Sequence, residues 1–288
     1  MALYRNQFNA DVLSTEFLLE QDLTPYKVIY YPFPYYMEDA VAERLKQFVL
    51  DGGTLISEAF FGGVCESTGL HSYRLPGLGF DDVFGVREGL RTSGSTVFDA
   101  YLESGGVAAG NVDRTPMRME ADLWMIRQGE RVWGYRFAEE LIPTHAEVLA
   151  RFEDGRVAIT QATYGQGKAI MVGTLAAYWS GVEPSQAADR LVCSLVALGD
   201  VRPEISADLP GTRVDLLSDG HDAAFLVATS DREDAAEFQI ELGRHGAGYT
   251  ILENMITEEQ IPVEVSEGGA RCALRLAPHG SEMYQLRR

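Results

Sequence analysis

The sequence predicts an α/β domain built on a parallel sheet, followed by a small all-β sandwich. Three observations carry this. Tyr26–Phe61 reads as strand, turn, helix, turn, strand. Gly199–Gly211, with Pro203, Pro210 and Gly211, reads as a linker. After the linker, helical periodicity gives way to short alternating runs. The expected boundaries are residues 1–205 for the α/β domain and 206–288 for the sandwich.

The first unit justifies itself residue by residue. Lys27–Tyr31 is a short apolar run ending at Pro32, as in a buried strand. From Glu38 the period becomes helical. Val41, Leu45, Phe48 and Val49 share one face, and Glu43, Arg44, Lys46 and Gln47 the other. Glu38 and Asp39 suit the positive end of the helix dipole. Gly52 and Gly53 end the helix, and Thr54–Ser57 resumes an apolar run. Such a βαβ unit implies parallel strands covered on both faces.

Upstream, Leu3–Ala10 reads as the end of a helix and Ser14–Leu19 as a strand. Downstream, Gly62–Gly79 reads as a long loop, of the kind that is functional or forms an interface. Asp81–Phe84 reads as a short helix, and residues 86–117 show little periodicity. Strands are expected at Met119–Met125, Arg131–Phe137, Glu147–Phe152, Val157–Ala162 and Ala169–Thr174. Asp154-Gly155 and Gly165-Gln166-Gly167 supply turns between the last three. Glu183-Pro184-Ser185 opens a helix whose apolar stripe is Ala187, Leu191, Leu195 and Val196. In the sandwich, strands are expected at Val214–Leu217, Ala223–Thr229, Ala236–Leu242, Tyr249–Glu253, Pro262–Val265, Cys272–Leu276 and Met283–Leu286.

Composition narrows the partners. Over 288 residues, 46% hydrophobic content suffices for a sizeable core. A net charge of −19 argues against nucleic acid and anionic membrane surfaces. Three scattered cysteines, Cys65, Cys193 and Cys272, fit a reducing compartment without a disulfide framework. No run is apolar enough to span a membrane, and MALYRNQFNADV lacks a signal peptide's basic and apolar regions. The expectation is a cytoplasmic protein.

Three constellations could carry chemistry. Gly63-Val64-Cys65-Glu66-Ser67 followed by His145-Ala146-Glu147 resembles the G-x-C-x-G and H-x-E of class I glutamine amidotransferases. Ser67 replaces the last glycine, a helix-breaking stretch follows Cys65, and Glu147 opens a strand, so a plain loop cysteine is the competing reading. Gly165-Gln166-Gly167-Lys168 is too short for a phosphate loop and precedes a strand, which leaves a hairpin turn. The five histidines show no paired spacing, so neither a metal nor a cofactor is expected. Lastly, an aromatic edge forms where the first two strands end. Tyr35, Tyr36, Phe60 and Phe61 are the candidates there for an interface or for stacking on a sugar; packing beneath a neighbouring domain is the structural alternative.

The strand Gly52–Ile56, the loop GGVCESTGLHSYRLPGLGFDDVFGV and the run Ala146–Thr174 together resemble the non-catalytic half of family 42 glycoside hydrolases, the β-galactosidase type. The resemblance covers nearly the whole chain. It implies a class I amidotransferase-like (flavodoxin-like) trimerisation domain without its triad, then a C-terminal β-sandwich. The family's TIM-barrel catalytic domain, which holds both catalytic carboxylates, is not in this sequence, nor is the first strand of the sheet. No catalytic residue carries over. The implied function is an accessory, oligomerising portion of a β-galactosidase-like enzyme. The alternatives are an amidotransferase-like enzyme using Cys65 and a free-standing carbohydrate-binding protein. The expected partners are further copies of the chain, as a trimer first and a dimer through an open sheet edge next, and the TIM-barrel domain of a longer chain.

Overall fold

The computed structural model describes residues 2–93, 114–182, 186–218, 224–243, 248–266 and 269–288. Most of the aperiodic stretch 86–117 and the helix opening at Glu183-Pro184-Ser185 lie outside them. Two compact units emerge: Asp11–Val201, and Leu3–Ala10 together with Arg202–Arg288.

The first helix, α1, is a single turn at Ala2–Arg5. Ser14–Leu19, expected as a strand, is instead helical: α2 spans Thr15–Glu20. The Ser14 hydroxyl accepts the Phe17 N–H at 3.2 Å, and Glu16 sits in the first turn. A local cap thus outweighs a short apolar run of which only Leu18 is buried. The central unit forms as read. Strand β1 is Val28–Tyr31, β2 is Tyr36–Met37, α3 is Asp39–Leu50 and β3 is Thr54–Glu58. Gly52, at φ 112°, lets the chain leave the helix.

Then come β4 (Val64–Cys65), α4 (Phe80–Val83), β5 (Val86–Ser93), β6 (Arg114–Met119), β7 (Arg131–Tyr135) and β8 (Phe137–Pro143). Next are β9 (Glu147–Phe152), β10 (Val157–Tyr164), β11 (Gly167–Val172), α5 (Ala176–Val182) and α6 (Gln186–Val196). The large sheet has the order β1-β3-β11-β10-β9-β6-β7. It is mixed, not parallel. Only β1, β3 and β11 run together, and the other four alternate. The short turns at Asp154-Gly155 and Gly165-Gln166 explain this, because hairpins can join only antiparallel strands. β1 pairs directly with β3, so no slot stands vacant between them.

Three further readings are corrected. The strand expected at Met119–Met125 lies earlier, at β6, and Leu123 bridges back to Ile126 in a turn. Arg131–Phe137 breaks at Arg136, which has φ 65°. β8 then leaves the large sheet and pairs with β5. On α6 the buried alanine is Ala188, not Ala187, and Asp189 beside it bonds Ser180 at 2.6 Å.

The core of this unit packs Val41, Leu45 and Val49 of α3 against Leu55, Ala169 and Met171 of the sheet. Each contributes about 1.5–3 kcal/mol by leaving water if large, less for alanine. The Leu3–Ala10 and Arg202–Arg288 unit is two antiparallel sheets. One orders β12 (Ser206–Ala207), β15 (Ala236–Gly243), β19 (Gly269–Leu276) and β18 (Glu264–Ser266). The other orders β13 (Thr212–Ser218), β14 (Ala224–Ser230), β20 (Ser281–Arg287), β16 (Ile251–Asn254) and β17 (Gln260–Pro262). Alternate residues such as Leu226, Ile240 and Leu274 fill its core. The Gln7 side chain joins in, donating to Thr212 O at 2.8 Å and accepting from Val214 N–H at 3.0 Å.

Candidate functional site

The aromatic edge forms at the carboxyl ends of β1 and β3. The chain turns there through two left-handed residues, Phe33 (φ 46°) and Phe60 (φ 69°). β2 and β4 pair in parallel, Tyr36 beside Val64 and Met37 beside Cys65. Gly62 N–H reaches Pro34 O at 2.9 Å, and Val64 N–H reaches Tyr35 O at 2.7 Å. These bonds bind the two loops into one surface. Gly63 fits beneath Tyr35, where a Cβ would stand 2.5 Å from the ring.

Phe33 and Tyr35 stack with centroids 6.3 Å apart, and Phe60 meets both edge-on. Phe33, Tyr35 and Tyr36 are 44%, 39% and 55% exposed. Leu70 and Tyr73, on the loop after β4, are more exposed still, and His71 lies 6.1 Å from Tyr35. Of the four residues singled out in the sequence, Tyr35 and Tyr36 present open faces. Phe60 and Phe61 do not. Phe60 is buried against Phe137 at 4.9 Å. Phe61 is fully buried against Phe80 at 4.4 Å and Phe84 at 5.0 Å. Both lie in the turn after β3, where Phe61 packs into the core cluster that α3 shares.

Cys65 lies on extended β4, not on a strand–helix turn, and its thiol faces Ser72 Oγ at 3.3 Å. His145 is exposed, packing beside Gly85 and near Thr144. Neither the turn nor a Cys–His hydrogen bond that a thiolate nucleophile requires is present. Gly165-Gln166 forms the β10–β11 hairpin, and Lys168 Nζ bonds Leu198 O at 2.8 Å. Among the described residues, no group of three or more His, Cys, Asp or Glu could hold a metal ion. Among the described residues, no helix is long and apolar enough to cross a membrane.

Two buried carboxyls lie behind the edge, and the sequence reading passed over both. Glu58, at the end of β3, accepts the Tyr30 hydroxyl at 2.8 Å and the Ala177 N–H at 2.6 Å. Burial lifts its pKa to about 7 despite these donors. Glu139, on β8, accepts the Phe60 N–H at 2.9 Å. Burial, then the nearby Glu88 charge, lifts it to about 7, against the lowering effect of Phe60 N–H and Arg91. One oxygen of each, Glu58 Oε2 and Glu139 Oε1, has no hydrogen-bond partner. At 1% and 0% exposure, neither can reach a sugar ring. The signal in the sequence was alternation: Phe137, Glu139 and Leu141 share a face, as do Ile56 and Glu58.

Residues 1–95 match the family profile described as the β-galactosidase trimerisation domain. The β-galactosidase BgaB of Geobacillus sp. (strain Y412MC61) is 29% identical over 179 residues, 60% of this chain and 23% of that protein. The β-galactosidase LacZ of Heyndrickxia coagulans is 27% identical over 220 residues, 74% of this chain and 28% of that protein. The chain thus spans about a quarter of these relatives' length. In fold, it is similar to the β-galactosidase of Bacillus circulans sp. alkalophilus, with a TM-score of 0.72, 19% identity, and coverage of 99% of this chain and 36% of that one. The α-L-fucosidase isoenzyme 2 of Paenibacillus thiaminolyticus shares the fold at a TM-score of 0.64 and 14% identity, covering 99% of this chain and 44% of that one. In sequence and fold, the chain is related to the non-catalytic part of family 42 glycoside hydrolases, the β-galactosidase type, its trimerisation-domain match covering residues 1–95.

Proposed function

We propose that this chain is the accessory, oligomerising portion of a β-galactosidase-like glycoside hydrolase and carries no catalytic residues of its own. The observation that carries the reading is the trimerisation-domain match over residues 1–95, the segment that also holds the aromatic edge. Its mixed sheet is an amidotransferase-like domain without a working triad, and a TIM-barrel domain of a longer, cytoplasmic chain supplies the two carboxylates that glycoside hydrolysis requires. Phe33, Tyr35, Tyr36, Leu70 and Tyr73 form the contact surface. So many exposed apolar side chains in one stretch favour burial by another copy of the chain. A trimer is the expected assembly, burying well over roughly 1,000 Å².

Light scattering after gel filtration at micromolar concentration tests the reading. The expected mass is three times that of one chain, falling with Tyr36→Glu because a charge must then lose its water at the contact. A single-chain mass for the wild type overturns it. Assays on aryl galactosides and on glutamine should show no turnover. Glutamine turnover lost in Cys65→Ala would instead support the amidotransferase alternative. Carbohydrate binding by the exposed rings is the second reading, supported by the Phe33–Tyr35 stack. Saturation transfer from these rings to galactose would support it.

A further inference from the structure

We infer that Glu139 and Arg91 form a buried latch under the aromatic edge, so that the charge on Glu139 controls whether the edge is ordered for contact with a second copy of the chain. The inference rests on the self-association proposed above and adds its regulation.

The geometry converges on Phe60. Its backbone N–H is held by Glu139 Oε2 at 2.9 Å. Its ring lies 4.0 Å beneath the Arg91 guanidinium. That ring in turn supports Phe33 and Tyr35 edge-on, 5.6 and 6.2 Å away. Phe60 also stands at φ 69°, a conformation costly for a bulky side chain that persists only when its neighbours impose it. One carboxyl from the far side of the sequence, 79 residues away, therefore fixes the floor of the exposed aromatic surface.

The charges facing that carboxyl are few. From β5, Glu88 adds a like charge, and Arg91 lies opposite Glu139 in register with its Nε 3.8 Å from Oε2. Arg91 is itself shared, since it pairs with Glu88. From the start of β10, Arg156 is held by Asp154 and by the carbonyls of Leu90 and Ala138. Glu139 Oε1 and Arg91 Nε, both buried, make no hydrogen bond. A neutral Glu139 places no charge in this buried setting. An ionised one places a full charge there beside Glu88 and competes with it for the Arg91 guanidinium, a state that favours opening the site to water. The burial-raised pKa of about 7 agrees with this sense. The edge is closed with Glu139 protonated and loosens as it ionises.

The test is sedimentation velocity of the full chain from about pH 5.5 to about pH 8.5, with Glu139→Gln alongside. The wild type should associate about tenfold less tightly at the alkaline end, the factor that one unit of pKa coupling carries. Glu139→Gln keeps the acceptor without the charge and should associate at all these pH values as the wild type does at the acid end. The second readout is protection of the Phe60 amide from hydrogen exchange, after correction for intrinsic rate. It should fall on ionisation in the wild type and stay constant in Glu139→Gln. If the chain is monomeric throughout, the self-association reading fails and Phe60 protection alone decides the latch. A pH-independent Phe60 protection, or a Glu139→Gln variant with the wild-type pH profile, overturns the latch whatever the assembly state.

Discussion

The two units bury different chemistry. The sandwich core is apolar on one face of each strand, with alternate residues facing outward along β14, β15 and β19. The Asp11–Val201 unit covers its central strands on both faces: every residue of β3 is buried, including Ser57 and Glu58. Among the described residues, the buried acids Glu58, Glu139 and Asp189 all belong to that unit. A strand with one wet face can send its polar residues outward. A strand covered twice cannot, so polar groups on it need internal partners. pH dependence from buried carboxyls is therefore expected in one unit and not in the other.

The contrast can be broken most forcefully in the cores. Phe61→Ala should cost the α/β unit about 3–5 kcal/mol, and Leu226→Ala the sandwich about 2–5 kcal/mol, measured by urea denaturation. The three tryptophans, Trp124, Trp133 and Trp179, all lie in the α/β unit, so their fluorescence follows that unit alone. Next in size is the pH effect. Burial pushes the folded Glu58 and Glu139 carboxyls up to about 7, above the ordinary 4.5 of a free glutamate. Their stabilising contribution is fully present below about pH 4.5 and is lost as pH rises through about 7, on the order of 3 kcal/mol each at most. Tryptophan-monitored stability should fall across that window, and Glu58→Gln or Glu139→Gln should flatten the fall. A flat wild-type profile would show that both carboxyls ionise freely in the fold.

Smaller effects sharpen the picture of the edge. Gly77→Ala should cost about 1–3 kcal/mol, because its Cβ would stand 2.1 Å from the Gly62 carbonyl oxygen, a backbone atom with little room to give. Tyr36→Glu should change folding stability by no more than about 0.5 kcal/mol, since Tyr36 is mostly exposed, while weakening association. A large loss of stability in that variant would mean that Tyr36 supports the fold rather than a contact.

What could be read in the sequence follows the same physics. Most sandwich strands were legible because alternation survives wherever one face meets water, and the helix Asp39–Leu50 because its polar face does too; Pro262–Val265, expected as one strand, is instead the crossing from β17 to β18, which lie in different sheets. The mixed direction of the large sheet was half legible: the hairpin turns at Gly155 and Gly165 were visible, but the βαβ unit drew the reading toward a parallel sheet. At Ser14–Leu19 a serine cap turns a short apolar run into α2, which the strand reading of that run does not include. At the edge, exposure separated Tyr35 and Tyr36 from Phe60 and Phe61, and nothing in an aromatic run states which rings turn inward. Glu58 and Glu139 were passed over because a carboxylate in an apolar strand is ordinarily assigned to the wet face.

The Gln7 contact with Thr212 joins residues 205 positions apart. On a ribosome, Leu3–Ala10 emerges ahead of its partner strand, which follows only after the whole Asp11–Val201 unit has been made. Closing so long a loop carries an entropy cost that grows with the logarithm of its length, and the reward is deferred until the loop closes. The amide of Gln7, which stands in for one rung of a ladder along β13, therefore belongs to the last stage of folding. Until then the segment Leu3–Ala10 has no partner strand, and its backbone is open to the strands of a neighbouring nascent copy.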